Sequence, residues 1–295
     1  MNERSGSNLK AKLILLAGVF SCSMSSAFFR YMTAPSTIAA TYRLGWTVLL
    51  LTPLIFSKRE TRKELLSLKG KDLAFCGLSG LFLAMHFVVW FESLSNTSIA
   101  SSTVLVNTEV AFAAFGYLIF FGKKIRKKEI LAIGIAFLGS VVIAMADTGG
   151  GAGKNAVLGD ILALLAAFFS ACYTLIGTRE RSHMSTIVYT YVLYWGCFLS
   201  LLVFDAVSGV PMTGYEPINW IMSLCLAVFC TLLGHSVFSW SLKFLTPTYV
   251  STVKLAGPVF ASISAILLFG EIPGLIQVAG AAVVLAGVYL YAKNS

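Results

Sequence analysis

The chain has 295 residues, of which 57% are hydrophobic and only 12% charged, and its formal net charge at pH 7 is +9. Soluble domains carry about 25% charged residues, so this composition excludes an ordinary soluble protein and indicates an integral membrane protein. The positive charge does not predict a nucleic-acid partner, because the basic residues lie in short loops between apolar runs.

Ten apolar runs are long enough to cross a bilayer as helices, which takes about 20 residues. Their continuous apolarity predicts helices rather than the strands of a barrel, whose sequence would alternate. The fold class expected is therefore an all-α integral membrane protein with ten transmembrane helices. The predicted spans are residues 11–30, 37–57, 72–92, 98–121, 128–146, 156–178, 184–205, 217–242, 247–269 and 273–292.

The basic residues predict the orientation of these spans. Of the 22 Lys and Arg residues, 18 fall in alternate loops on one side, only Arg30 and Lys154 fall on the other, and Arg43 and Lys254 lie within spans. Loops rich in Lys and Arg stay in the cytoplasm. Both termini are therefore predicted to be cytoplasmic.

A weak internal repeat relates the two halves of the chain without gaps. At a constant offset of 148 residues, Leu94 matches Leu242 and Phe112 matches Phe260. We expect two five-helix repeats, residues 1–147 and 156–295, which are inverted because five is an odd number of spans. Inverted repeats with interrupted, charged helices are typical of secondary transporters.

Several motifs stand in a fixed order along the chain. They are Pro35 with Arg43 in the second span, Gly257-Pro258-Val259-Phe260 in the ninth span, Leu268-Phe269-Gly270-Glu271 at its end, and glycine-rich fifth and tenth spans. With ten helices in two inverted halves, the stretch from Leu13 to Tyr291 resembles the EamA-like branch of the drug/metabolite transporter superfamily. The chain departs from that pattern at Glu109-Val110, where a proline is typical, and at Lys123, where a glutamate is typical.

The resemblance implies a secondary transporter that exports small metabolites by alternating access around a central cavity. Amino acids are the first substrate class expected, since aromatic amino-acid exporters belong to this group. It further implies a multi-pass protein of the plasma membrane (the inner membrane of a bacterium with two), in contact with lipid. No cofactor and no enzymatic activity are expected. The driving force is either the proton gradient or downhill flux, since the sequence contains no P-loop for a primary pump.

Two charged residues within the spans are the main candidates for the substrate site, because a charge near the bilayer centre costs at least about 2.5–3.5 kcal/mol. Glu109 is expected to titrate protons or to bind a substrate ammonium group. Lys254, with Ser251 and Pro258 on its face, is expected to bind a substrate carboxylate; Pro258 has no N–H for the carbonyl of Lys254. The alternative is a structural salt bridge between Glu109 and Lys254, since inverted halves bring the fourth and ninth spans together.

The remaining candidates carry weaker signals. Arg43, which matches an arginine typical of the family, is interpreted first as a structural charge that is paired or reaches the outer surface, and second as a substrate contact. His86 and His235 occupy near-equivalent places in the two repeats and are either proton relays or histidines bonded to a neighbouring helix. Trp90 lies one turn from His86, so we expect both side chains to line the cavity and to bind substrate. No histidine spacing matches a metal motif.

Two other function classes are weighed against transport. An intramembrane enzyme acting on lipid-linked substrates would need a clustered catalytic set, whereas the charged groups here are scattered singly along the sequence. A passive channel would need a continuous polar face on its helices, and none of the ten spans has one. The sequence therefore favours a carrier.

Overall fold

The computed structural model describes residues 2–29, 31–97, 99–122, 124–146, 155–269 and 274–294. These residues form helices and no β-strand, as expected for an all-α membrane protein. A π-helical segment, Leu226–His235, lies between α11 and α12. The helices are α1 (Asn2–Ser23), α2 (Ser25–Phe29), α3 (Ser36–Ser57), α4 (Arg59–Leu66), α5 (Gly70–Asn96), α6 (Ile99–Val106), α7 (Glu109–Phe121), α8 (Lys127–Ala146), α9 (Ala156–Glu180), α10 (Thr186–Val207), α11 (Pro217–Cys225), α12 (Ser236–Ser241), α13 (Pro247–Lys254), α14 (Gly257–Phe269) and α15 (Leu275–Asn294).

Within the described residues, eight helical stretches are long and apolar enough to cross a membrane. They are Leu9–Phe29, Ser36–Ser57, Gly70–Asn96, Val104–Phe121, Ala156–Glu180, Thr186–Val207, Pro217–Ser241 and Leu275–Asn294. The predicted fifth span corresponds to α8, and the predicted ninth span to α13 and α14 together. The total of ten spans and the cytoplasmic termini stay predictions. The loop 147–154, Arg30, Lys123 and the Gly270-Glu271 pair lie outside the described residues.

The predicted fourth and ninth spans are both interrupted near their middle. In the ninth, α13 ends at Lys254 and α14 begins at Gly257. Pro258 cannot donate to the carbonyl of Lys254, and the chain turns before it, where the N–H of Leu255 donates to the carbonyl of Thr252. In the fourth, α6 ends at Val106 and α7 begins at Glu109. Each break thus leaves a charged residue at a helix end.

Close helix packing explains Gly139 and Gly287, which lie in the predicted fifth and tenth spans, α8 and α15. A Cβ added at Gly139 would lie 2.5 Å from the backbone nitrogen of Val284, and one at Gly287 would clash with the backbone of Ala136. Small residues let two helix backbones approach closely within a membrane. Gly134, on α8 as well, has no atom within 4 Å of such a Cβ.

Two apolar clusters flank the middle of the bundle. One contains Tyr173 together with buried residues of α3, α5 and α10, and the other contains Phe238 together with buried residues of α1, α8, α13 and α15. Tyr173 and Phe238 both face the ammonium group of Lys254. The polar groups described below therefore lie where the two clusters meet.

The glycine contacts between α8 and α15 give a first prediction. We expect Gly287→Ala to destabilise the protein by about 1–3 kcal/mol, because the added methyl group overpacks a contact between backbones. The control Gly134→Ala adds the same methyl group into open space, and alanine is the better helix former by about 1 kcal/mol. Thermal unfolding in detergent should show a lower melting temperature for Gly287→Ala alone. Equal melting temperatures for both variants would contradict the packing argument.

Candidate functional site

Glu109 and Lys254 form an ion pair inside the bundle. The Nζ atom of Lys254 donates to Oε2 of Glu109 at 2.5 Å, and Glu109 is only 7% exposed. Glu109 is the first residue of α7 and Lys254 the last residue of α13. A helix carries partial positive charge at its N-terminus and partial negative charge at its C-terminus, so both helix dipoles stabilise the charges placed there. The two helix breaks thus make the pair tolerable inside the membrane.

Hydroxyl groups complete the coordination of the Glu109 carboxylate. Ser170 donates to Oε2 at 2.7 Å, Ser251 donates to Oε1 at 2.9 Å, and Thr174 lies 3.5 Å from Oε1. An ionised carboxylate has about four acceptor positions, and these partners occupy most of them. The structure therefore brings Glu109, Lys254 and Ser251 together, as the sequence analysis expected of a common site.

Aromatic rings connect the ion pair to Arg43. The ammonium group of Lys254 lies 5.5 Å from the ring centre of Phe238 and 5.8 Å from that of Tyr173. These distances suit cation–π attraction. The hydroxyl of Tyr173 lies 3.4 Å from Nδ1 of His235.

On its other side, the His235 ring makes an edge contact with Phe87, at 5.8 Å between ring centres. The guanidinium of Arg43 in turn lies 5.1 Å from the centre of the Phe87 ring. These side chains come from seven helical elements of the chain, and we call them the central cluster. Its members are Arg43, Phe87, Glu109, Tyr173, His235, Phe238 and Lys254.

Arg43 is buried, with 4% of its surface exposed. Its Nε donates to the hydroxyl of Thr231 at 2.6 Å, but Nη2 has no hydrogen-bond partner. Among the described residues, no carboxylate lies within 4 Å of the guanidinium. The expected structural ion pair of Arg43 is therefore not seen in this part of the chain; a hydroxyl and a ring take its place.

Of the other predicted site residues, His86 contacts the central cluster through Phe87. Nδ1 of His86 lies 2.9 Å from the carbonyl of Ala166, and its ring stacks on Trp90 at 6.1 Å. His86 and His235 both contact the ring of Phe87, from different helical segments. Pro258 is the second residue of α14. His86 therefore has the bond to a neighbouring helix that was one of its two expected roles.

Several residues around the pair were not assigned to the site from sequence. Ser170, Tyr173 and Thr174 all contact Glu109, Lys254 or His235, and all lie on α9. Their spacing of three and four residues places them on one helix face. That periodicity of polar groups in an apolar span was the available signal. Thr231 gave no comparable signal, because its position depends on the π-helical segment.

A second polar cluster lies at the end of α9. Nε2 of His183 is 3.5 Å from a carboxylate oxygen of Asp72 and 3.4 Å from one of Glu180. One ligand atom from each of the three residues lies within 4.8 Å of the others. No metal motif in the sequence predicts this grouping, because Asp72 lies far along the chain from Glu180 and His183. The contacts tie the start of α5 to the end of α9, two helical turns from Tyr173.

The sequence profile of the EamA-like transporter family matches the chain twice, over residues 9–145 and over residues 157–292. The chain belongs to the EamA-like transporter family. A solved crystal structure superposes on this EamA-like transporter with a TM-score of 0.77 at 16% identity, covering 97% of each chain, which shows a shared fold.

Curated relatives are named as transporters. An uncharacterized transporter of Archaeoglobus fulgidus is 26% identical over 82% of this chain and 84% of its own length. A protein of Salmonella typhimurium named "Probable amino-acid metabolite efflux pump" is 27% identical over 58% of this chain and 59% of its own. A protein of Escherichia coli with the same name is 22% identical over 75% of this chain and 74% of its own. The prediction of a multi-pass transporter of the plasma membrane is confirmed.

The ion pair gives a second prediction. Lys254→Gln leaves the buried carboxylate of Glu109 without its counter-charge, which costs about 3–5 kcal/mol. The double variant Glu109→Gln with Lys254→Gln removes both charges and keeps polar side chains of similar length. We expect the double variant to melt at a higher temperature than Lys254→Gln in detergent. A double variant that melts no higher than Lys254→Gln would show that the two charges do not depend on each other.

Proposed function

We propose that this EamA-like transporter exports small metabolites, amino acids foremost, across the plasma membrane by alternating access. The observation that carries this proposal is the buried Glu109–Lys254 pair, which joins α7 in the first half of the chain to α13 in the second. The names of the Salmonella typhimurium and Escherichia coli relatives support amino-acid metabolites as the substrate class. The two halves are proposed to act as inverted five-helix repeats with one site between them.

The mechanism follows from how the pair is held. Glu109 has hydroxyl partners on α9 and α13 besides Lys254. A substrate ammonium group can replace the ammonium of Lys254 at Glu109, because both are strong donors to a carboxylate. That exchange removes an ionic contact between α7 and α13. A ligand shifts a conformational equilibrium only through its different affinity for the two states, and this exchange supplies such a difference.

Glu109 is also the proposed coupling point for protons. Protonation would remove the charge that holds Lys254, and so would mimic the effect of a bound ammonium group. The predicted alternatives for this role are His86 and His235. His235 contacts Tyr173, which itself faces Lys254, so a proton on His235 would act on the same pair.

A counterflow experiment tests the proposed function. Proteoliposomes loaded with one unlabelled amino acid at a time are given a labelled neutral amino acid outside. We expect a subset of the panel to accelerate uptake of label, because a carrier reorients faster when its site is occupied by substrate than when it is empty. Protein-free liposomes provide the control. No acceleration with any amino acid, in the presence of correctly folded protein, would contradict export of amino acids.

The pH dependence of that exchange tests the role of Glu109. We expect exchange by the wild type to vary with pH, and the exchange that remains in Glu109→Gln to be insensitive to pH, since glutamine cannot titrate. Glutamine retains one acceptor oxygen for the hydroxyl groups and replaces the other oxygen with an NH2 donor. His86→Gln and His235→Gln are the matched controls and should keep the pH dependence. An unchanged pH profile in Glu109→Gln would remove its proton role. A wild type that does not respond to pH would favour downhill flux.

The enzyme alternative receives a direct test in the same vesicles. The sequence argument against an enzyme was that the charged residues are scattered singly along the chain. In the folded protein, however, Arg43, Glu109, His235 and Lys254 all belong to the central cluster. Within that cluster, Glu109 and Lys254 neutralise each other, which favours binding over acid–base chemistry. The transported solute should be recovered chemically unchanged by chromatography. Conversion that depends on Glu109 would support the enzyme instead.

A further inference from the structure

Arg43 carries a buried charge that no carboxylate of the described residues contacts within 4 Å. The nearby buried carboxylate of Asp205 accepts a hydrogen bond from Thr41 instead. The Glu109–Lys254 pair cancels within the central cluster, which leaves the guanidinium of Arg43 as an excess positive charge. A buried ion without a counter-ion costs several kcal/mol in a protein interior. Such a residue within a membrane-spanning helix marks a functional site more often than a structural one. An anion bound at Nη2 would supply the counter-charge that Arg43 lacks within this distance.

The contacts of Arg43 hold its guanidinium in one orientation. Nε is fixed by the hydroxyl of Thr231, and the plane of the group lies over the Phe87 ring. Thr231 is itself held, because its carbonyl lies 3.4 Å from the hydroxyl of Tyr194. These contacts leave Nη2 buried and without a hydrogen-bond partner. A planar guanidinium with free donors matches the geometry of a carboxylate.

We propose that Arg43 binds the carboxylate of the transported solute, and that the substrates of this transporter are carboxylates with an apolar side group. This assignment rests on the proposed function and deepens it. It gives the carboxylate to Arg43 rather than to Lys254, because Lys254 already has a carboxylate partner in Glu109. The rings of Phe87, His235 and Phe238 provide apolar surface beside the charged groups.

Three probes distinguish the contribution of the substrate carboxylate to binding from that of the ammonium group. They are L-phenylalanine, L-phenylalaninamide, which lacks the carboxylate, and 3-phenylpropionate, which lacks the ammonium group. Apparent Kd values come from the rise in melting temperature of the full-length protein in detergent, since a ligand that binds the folded state stabilises it. In Arg43→Gln, we expect the Kd of both carboxylates to rise at least about tenfold, as charge-assisted hydrogen bonds are lost. The Kd of L-phenylalaninamide should change less than about threefold.

Arg181→Gln is the matched control. Arg181 is also a buried arginine, at 2% exposure, but it donates to the backbone carbonyls of Ser239 and Met184. Its replacement should leave all three Kd values unchanged, even if it lowers the melting temperature. Thr231→Val provides a second variant, in case Arg43→Gln does not fold. This variant keeps the charge of Arg43 but removes the hydrogen bond of its Nε. It should therefore raise the Kd of both carboxylates and leave the Kd of L-phenylalaninamide unchanged.

The outcomes separate the two proposals. If Arg43→Gln weakens the binding of the two carboxylates and of L-phenylalaninamide to a similar extent, or weakens neither, the assignment of Arg43 is overturned. Wild-type binding of L-phenylalaninamide without either carboxylate would overturn that assignment and leave the role of Glu109 standing. Wild-type protein that binds none of the three probes, and exchanges no amino acid in counterflow, would overturn the proposed function together with this inference.

Discussion

The structure depends on the ion pair between Glu109 and Lys254, because two charges inside an apolar bundle must be satisfied by the fold around them. Each charge lies at the end of a helix whose dipole stabilises it. Hydroxyl groups of α9 and α13 donate further hydrogen bonds to the Glu109 carboxylate. The interruptions of the fourth and ninth predicted spans are therefore requirements of the pair. They also place the strongest polar contact where the two halves of the chain meet.

The central cluster combines a satisfied charge pair with an unsatisfied charge. In the proposed mechanism, a charged solute or a proton replaces the contact between Glu109 and Lys254. Arg43 instead keeps one donor free beside the Phe87 ring. A site of this kind has net attraction for an anion and a separate position for a cation. A small zwitterion or monocarboxylate fits that charge distribution better than a neutral lipid does.

The sequence was most informative where a charged residue lies within an apolar run. Glu109 and Lys254 stand out in apolar runs, and the repeat offset placed their spans together, so their contact was foreseen as one alternative. The hydroxyls of Ser170 and Thr174 were not foreseen, because a serine in a membrane helix serves packing as readily as binding. The contact between Arg43 and Thr231 was also not foreseen, since it depends on a π-helical segment that has no clear sequence signal.

Infrared difference spectroscopy on adding L-phenylalaninamide would test the central claim most directly. This probe has an ammonium group and no carboxylate, so a change in the carboxylate stretching region must come from the protein. If the probe displaces Lys254 from Glu109, the wild type should show a carboxylate difference band that is missing in Glu109→Gln. Identical difference spectra for the two proteins, with the probe bound to both, would contradict the proposed exchange at the ion pair.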